Sequence, residues 1–364
     1  QIVPTGTLFE GTQIGGLSGL DYDARSGLYS AISDDRSQNN PARFYELGLD
    51  LSRFVRSNTP GADAVSFSRV TTLRTPAGEA FAPFTVDPES IRLLRPARGA
   101  GGGSYTLLWT NEGQRATGAF QNPTLREMDV NGNFLREFAV PSLFNPAGST
   151  AADQLGDTGI RNNLAFESLA VSPDRRTVFI ANEDALAQDG PVAAFGVKSP
   201  VRIASFDSAT GAPGSQWVYE TDGVIDAPAP GASANNGLVE LLATGPKCFL
   251  ALERSFTSGV GNSIRVYLAD AHRATDVAAL PALAGASYTP LRKTLALDLA
   301  DVRNDDGSRL VLDNTEGLSL GPVVNGLRTF VLMSDNNFST GQFTQFAAFG
   351  VDPAQKVTGC RLPE

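Results

Sequence analysis

The chain has 364 residues, of which 41% are hydrophobic and 19% are charged, so it contains enough apolar material for a core. Its net charge of −10, from 29 basic and 39 acidic side chains, argues against nucleic-acid binding, and no basic run reverses this locally. No apolar run reaches the roughly 18 residues of a membrane helix, so we expect no membrane span.

The N-terminal residue and the two cysteines bear on the compartment in which the protein works. Gln1 is followed at once by strand-like sequence, which we interpret as a mature secreted or periplasmic protein whose signal peptide has been removed. A shortened chain would look the same. The two cysteines, Cys248 and Cys360, are either unrelated buried thiols or one disulfide, and an oxidising compartment would favour the disulfide.

A short phrase recurs along the chain, in which an acidic or hydroxyl residue stands among small residues and is followed by an apolar run. The residues at its acidic position are Ser18, Glu89, Glu167, Glu240 and Glu316. Successive copies are separated by 71, 78, 73 and 76 residues. Self-similarity at a fixed period is typical of repeat architectures.

A second phrase follows each copy of the first, and in it an apolar strand ends in an acid. These acids are Asp34, Glu112, Glu183, Glu253 and Asp335. Two more strand-like runs come before the next repeat, as in Val201–Phe206 and Gln216–Glu220 of the third copy. The pattern therefore predicts four antiparallel strands per repeat.

Five repeats of four strands predict an all-β, five-bladed β-propeller formed by a single domain, residues 1–364. The predicted blades cover roughly residues 16–80, 85–145, 160–225, 235–300 and 310–350, the last completed by residues 1–15. The fifth repeat lacks sequence for a fourth strand, and we expect the N-terminal run Thr5–Ile14 to supply it and close the ring. Closure removes the exposed sheet edges of an open array. We expect the protein to be a monomer.

The acids of both phrases are predicted to lie at one mouth of the central channel, because the first strand of a blade starts where the second ends. Ser18, Glu89, Glu167, Glu240 and Glu316 then form an inner ring of metal ligands, and the acids of the second phrase form a wider ring. Facing carboxylates raise each other's pKa. A hard cation with roughly six to eight oxygen ligands relieves this, which favours calcium. The alternative is that each acid is a solvated strand-end residue.

Catalysis, if the protein is an enzyme, has to rest on metal and carboxylates. The chain has one histidine, His272, in a predicted loop, and lacks the motifs of common hydrolases and nucleotide-binding proteins. Asp34, Glu112, Glu183 and Glu253 are candidates to activate water. Arg36 directly follows the pair Asp34-Asp35, Arg254 directly follows Glu253, and both arginines are candidates to bind an anionic substrate. Alternatively, these arginines are rim charges paired with the adjacent acids.

The two phrases resemble the phytase-like family described as having esterase-like activity of phytase. The resemblance lies in Gly16–Leu20, Ile32–Arg36, Phe166–Leu169, Asn182–Asp184, Leu252–Arg254 and Thr315–Leu318. It implies phosphate- or ester-hydrolysing activity outside the cytoplasm. The serine-and-glutamate ring is also similar to the axial calcium site of the five-bladed calcium-activated nucleotidases, which implies that the inner ring holds calcium.

Two functional hypotheses follow. The first is a secreted, calcium-dependent phosphoric ester hydrolase, which acts on a small-molecule phosphate ester or another ester. The second is a non-catalytic propeller whose axial calcium is structural and whose open face binds a protein or glycan. A propeller fold does not choose between them.

Overall fold

The computed structural model describes residues 1–95, 105–351 and Cys360, and it confirms an all-β, five-bladed propeller. Within these residues the only helical segments are single 3-10 turns at Leu51–Arg53, Ser142–Phe144 and Leu299–Asp301. In the described part of the chain, no helix is both long enough and apolar enough to cross a membrane.

Each blade is a four-stranded antiparallel sheet, described here from the innermost strand outward. Blade 1 consists of Leu17–Asp23, Leu28–Ser33, Arg43–Leu49 and Val65–Thr72. Blade 2 consists of Pro88–Leu94, Thr106–Asn111, Thr124–Met128 and Phe134–Glu137. Blade 3 consists of Phe166–Val171, Thr177–Asn182, Pro200–Asp207 and Pro213–Glu220. Blade 4 consists of Ala234–Gly245, Cys248–Thr257, Gly261–Asp270 and Arg292–Asp298. Blade 5 consists of Asn314–Val324, Leu327–Asp335, Thr344–Gly350 and the N-terminal Ile2–Val3.

The N-terminal strand closes the ring, as predicted, but it comes from a different run of residues. Ile2 pairs with Gln345 and Val3 with Thr344. The predicted run Thr5–Ile14 instead contains a small hairpin, in which Leu8–Phe9 pairs with Thr12–Gln13. Gly6 and Gly11 have positive φ angles of 88° and 80°, so the chain turns at both points and cannot continue as one strand. A second small hairpin, Gln114–Ala116 with Ala119–Gln121, lies between the second and third strands of blade 2.

The apolar core lies between the blades, because the alternating side chains of each sheet face its two neighbours. One large cluster of buried apolar residues fills each of the five junctions, including the junction between blades 5 and 1. At the junction of blades 3 and 4, Phe179 meets Phe249 edge to face with centroids 4.9 Å apart. Every blade is thus packed on both faces, as a closed ring requires.

A buried ion pair fills the channel below the mouth. Arg92 Nη2 of blade 2 lies 2.8 Å from Glu240 Oε2 of blade 4. Arg92 also donates to the carbonyls of Leu20 in blade 1 and Leu318 in blade 5. Glu240 in turn accepts from the Leu169 backbone of blade 3. Because this pair links all five innermost strands, the mouth is a cup with a closed floor.

The two cysteines form a disulfide between Cys248 and Cys360, which decides between the two alternatives left open by the sequence. It joins Cys360 to the first residue of the second strand of blade 4. His272 lies near both sulfurs, but because the thiols are joined they offer no thiolate for a metal.

Candidate metal centre at the channel mouth

A β-bulge near the start of each innermost strand places the residues of the first phrase. The bulged residues are Ser18, Glu89 with Ser90, Glu167, Val239 and Glu316. A bulge sets one extra residue against the partner strand and re-aims its side chain, so the same local device repeats around the ring. Glu89, Glu167 and Glu316 are all at least nine-tenths buried there.

Glu240 does not lie in this ring. Leu238 pairs with Glu253 and Glu240 with Leu252, so the bulged residue of blade 4 is Val239. Val239 packs in the apolar cluster between blades 4 and 5. Glu240 occupies the place that Ser90, Ser168 and Gly317 hold in other blades, and its side chain reaches the floor of the cup. The sequence phase of this blade is therefore shifted by one residue.

The second phrase shows the same shift in blade 4. Ser33, Asn182 and Ser334 pair opposite the start of their innermost strands, and the next residue in each is Asp34, Glu183 or Asp335. In blade 4 the paired residue is Glu253, so the position of the acid belongs to Arg254. Blade 4 thus places a guanidinium where the other four blades place a carboxylate.

Eight carboxylates gather at the mouth, and we call them the mouth carboxylates. They are Asp34, Asp87, Glu89, Glu112, Glu167, Glu183, Glu316 and Asp335. Oxygens of Asp87, Glu89 and Glu112 lie within 4.8 Å of one another, and all three residues are buried. Asp87 was missed in the sequence, although it directly precedes the strand that begins at Pro88. Its carbonyl accepts from the Glu112 backbone, which fixes the two acids side by side.

Burial is the largest cause of the raised pKa values of the mouth carboxylates. It acts together with the neighbouring acids Asp335 and Glu316 to raise the pKa of Asp34 well above its usual range. The pKa values of Glu89, Glu112 and Glu167 are raised in the same way, each by burial and by surrounding carboxylates. Burial raises the pKa of Asp87, Glu183 and Glu316 to about 7 and that of Asp335 to about 6.

Two arginines lie among these acids. Arg254 Nη2 donates to Glu183 Oε1 at 2.9 Å, and its Nε lies 3.6 Å from Glu316 Oε1. Arg36 Nε lies 3.3 Å from Asp87 Oδ2, and the Arg36 side chain remains 27% exposed. Arg254 is therefore enclosed by carboxylates, whereas Arg36 reaches the solvent at the mouth.

Glu253, predicted as a water-activating acid, contacts a different set of residues. Its Oε1 accepts from Tyr219 Oη at 2.6 Å and lies 2.5 Å from Lys293 Nζ. Its Oε2 accepts from the Asp222 backbone and from Asn236 Nδ2, both at 3.0 Å. The structure thus brings Asp34, Glu112 and Glu183 together at the mouth and places Glu253 in an ion network between blades 3 and 4.

The comparison with protein families decides the family of this propeller. Residues 12–338 match the model described as "Phytase-like: Esterase-like activity of phytase". The chain belongs to the phytase-like family. Among curated proteins, none matches it.

Solved structures similar to this phytase-like propeller have low sequence identity. The Dos1 propeller has a TM-score of 0.39 and 8% identity, over 92% of this chain and 68% of that one. U3-55K has a TM-score of 0.33 and 11% identity, over 90% and 64%. The β-propeller domain of Myceliophteria thermophila Cps50 (Swd1) has a TM-score of 0.36 and 9% identity, over 92% and 97%.

Proposed function

We propose that the mouth carboxylates bind a calcium ion and that this centre hydrolyses phosphoric esters of small molecules. The observation that carries the proposal is the charge imbalance at the mouth: eight carboxylates, most of them buried, surround two cationic side chains among the described residues, Arg254 and the partly exposed Arg36. Facing buried carboxylates without counter-charge are costly. A donor set made only of oxygens suits a hard cation such as calcium.

The residues fit such an ion best on the side of blades 1 to 3. Asp87, Glu89 and Glu112 form the tightest oxygen cluster, and Asp34 and Glu167 are the carboxylates that act most directly on it. Arg254 compensates Glu183 and Glu316 on the other side. We therefore assign as ligands the three acids of this cluster together with Asp34 and Glu167. Glu240 is omitted, because its partner is Arg92. Ser18 holds the equivalent bulge in blade 1 and completes the proposed set.

The chain's own groups supply the rest of the chemistry. Calcium, when bound, would neutralise charge on the phosphoryl oxygens. The exposed end of Arg36 would hold a phosphate oxygen by charge-assisted hydrogen bonds. Glu183, whose pKa is raised to about 7, would accept a proton from the attacking water near neutral pH. Arg254, hydrogen-bonded to Glu183, would orient that carboxylate and is a positioning residue.

Hydrolysis of a generic phosphate monoester tests the proposal, with calcium and with chelator, in the wild type and in Glu167→Gln. We expect calcium-dependent turnover that falls by at least about 100-fold in the variant. Exposed Glu137→Gln on the outer strand of blade 2 is the control and should retain activity. Calcium binding without turnover of this ester or of a carboxylic ester would favour the non-catalytic propeller with a structural ion.

We also propose that the protein works as a monomer outside the cytoplasm. The Cys248–Cys360 disulfide supports an oxidising compartment, because cytosolic thiols are kept reduced. Thiol titration of the unfolded native protein tests the location. It should find no free thiol, whereas two reactive thiols would contradict it. Sedimentation should find one chain per particle, and a dimer would contradict that expectation.

A further inference from the structure

We infer that Phe84 is a specificity-determining residue of this centre, and that it selects phosphate esters whose alcohol part is an aromatic ring. The inference deepens the proposed function and rests on it. Phe84 lies in the connection from blade 1 to blade 2, three residues before Asp87. Its side chain is 50% exposed.

The backbone of Phe84 is held in a conformation that a phenylalanine rarely adopts. Its φ angle is +63°, in the left-handed region, where the Cβ of a non-glycine residue crowds the following carbonyl oxygen. Glycine would adopt it freely. Because the ring is half exposed, packing gains little in return. An exposed aromatic side chain at a strained position is better explained by an interaction with a ligand than by stability.

Two hydrogen bonds fix this conformation and aim the residue. The Phe84 backbone N–H donates to the Arg36 carbonyl at 2.8 Å, and Gln121 Nε2 donates to the Phe84 carbonyl at 2.9 Å. Phe84 is thereby tied both to the segment that carries Asp34 and Arg36 and to the small hairpin of blade 2. The backbone of Phe84 is thus anchored at the rim on both sides of its Cα atom.

Arg36 connects the ring to the metal centre. Its guanidinium carbon lies 5.8 Å from the centre of the Phe84 ring, and its Nε lies 3.3 Å from Asp87 Oδ2. The Arg36 Nε is buried without a hydrogen-bond partner among the described residues, so the ion pair with Asp87 leaves it unsatisfied. The rest of the Arg36 side chain remains 27% exposed, and a phosphate oxygen would bind at this exposed part of the guanidinium. A group attached directly to that phosphate would then reach the exposed ring.

The chemistry of the three groups defines the substrate class. The acids of the cup hold the cation, Arg36 holds a phosphate oxygen, and the Phe84 ring offers a flat apolar surface for a second ring. Aromatic pairs contribute about 0.5–1.5 kcal/mol beyond the buried area, which corresponds to roughly 2- to 10-fold in affinity. An aryl phosphate makes all three contacts, whereas a methyl ester makes only the first two.

Binding of phosphonates, which are not hydrolysed, tests the inference apart from turnover. Calorimetry with calcium present would compare phenylphosphonate with methylphosphonate. We expect the wild type to bind the phenyl compound roughly 3- to 10-fold more tightly. Phe84→Ala should remove this preference without changing the affinity for methylphosphonate, and Phe84→Tyr should retain it. Phe195→Ala is the matched control, because Phe195 is 57% exposed on a loop of blade 3, and it should behave as the wild type.

Each outcome bears on a different claim. Equal affinities for the two phosphonates in the wild type, or an unchanged preference in Phe84→Ala, would overturn the role of Phe84 and leave the phosphate site intact. A loss of preference in Phe195→Ala as large as in Phe84→Ala would also overturn it. Binding of neither phosphonate in the presence of calcium would overturn the proposed function and the inference with it.

Discussion

Arg254 Nη2 lies 2.9 Å from Glu183 Oε1. In blade 4, Arg254 holds the position at which each of the other four blades carries an acid. Its Nε approaches Glu316 to 3.6 Å, so one guanidinium joins the acids of two neighbouring blades. Without a bound cation it is the main positive charge facing them. This relationship predicts how the stability of the metal-free protein and its response to calcium are coupled.

Replacing Arg254 by Met should destabilise the metal-free protein by about 3 kcal/mol or more, because it leaves buried carboxylates uncompensated. Added calcium should then raise the melting temperature more than it does in the wild type. Arg265→Met is the control, since Arg265 pairs with Asp298 2.8 Å away on the outer side of blade 4. Equal calcium responses in the two variants would contradict the role of Arg254.

The stability of the metal-free protein should fall as the pH rises from about 5 to about 8. The folded-state pKa values of Asp87, Glu183 and Glu316 are raised to about 7, so these acids hold protons that the unfolded chain has already lost. The proton-linked stability is therefore fully present below the unfolded values, 3.8 for Asp87 and 4.5 for the glutamates, and is lost as the pH passes about 7. Chemical denaturation with chelator at several pH values measures this trend. Saturating calcium should weaken it, because Asp87 is a proposed ligand, and a metal-free protein that gains stability across this range would contradict the account.

Glu112→Gln and Glu253→Gln should have different effects, the first on calcium binding and the second on the stability of the fold. Glu112 belongs to the tight oxygen cluster, so its substitution should abolish most of the calcium-induced rise in melting temperature. Glu253 contacts Tyr219 and Lys293 instead, so its substitution should lower stability by about 1–3 kcal/mol and leave the calcium response unchanged. Thermal melts with calcium and with chelator give both quantities. The reverse pattern would restore Glu253 to the site.

The disulfide should contribute to stability through the long loop that it closes. Cys248 and Cys360 are 112 residues apart in sequence, and loop closure of this size corresponds to about 5 kcal/mol at most. The Cys248→Ser/Cys360→Ser variant should therefore unfold at lower denaturant concentration, with its calcium affinity unchanged. A variant as stable as the wild type would show that this disulfide does not stabilise the fold.

The sequence predicted the architecture because the bulge that shapes each blade carries a recognisable residue about every 75 positions. It misassigned blade 4 because a shift of one residue moves a side chain to another face, and residue types alone do not reveal strand register. Glu240 and Glu253 matched the two phrases by residue type. The structurally equivalent positions of blade 4 are held by their sequence neighbours Val239 and Arg254. The sequence contained one indication of the shift, because an arginine, Arg254, directly follows the second acid of that blade.

Other features could not be predicted from one sequence. The sequence left open whether Cys248 and Cys360 are joined, because it does not show how close two residues 112 positions apart lie in the fold. The left-handed backbone of Phe84 has no sequence signature, because phenylalanine gives no indication of a positive φ angle. Asp87, in contrast, could have been predicted from the sequence, because it directly precedes Pro88, the first residue of the innermost strand of blade 2.

A calcium titration by calorimetry tests the central claim most directly. The wild type, freed of metal by chelation, would be titrated near neutral pH beside the Glu89→Gln/Glu112→Gln variant. We predict one saturable calcium site in the wild type and its loss in the variant, with the fold retained in circular dichroism. No saturable binding at millimolar calcium, or equal binding by the two proteins, would contradict a metal centre at the channel mouth.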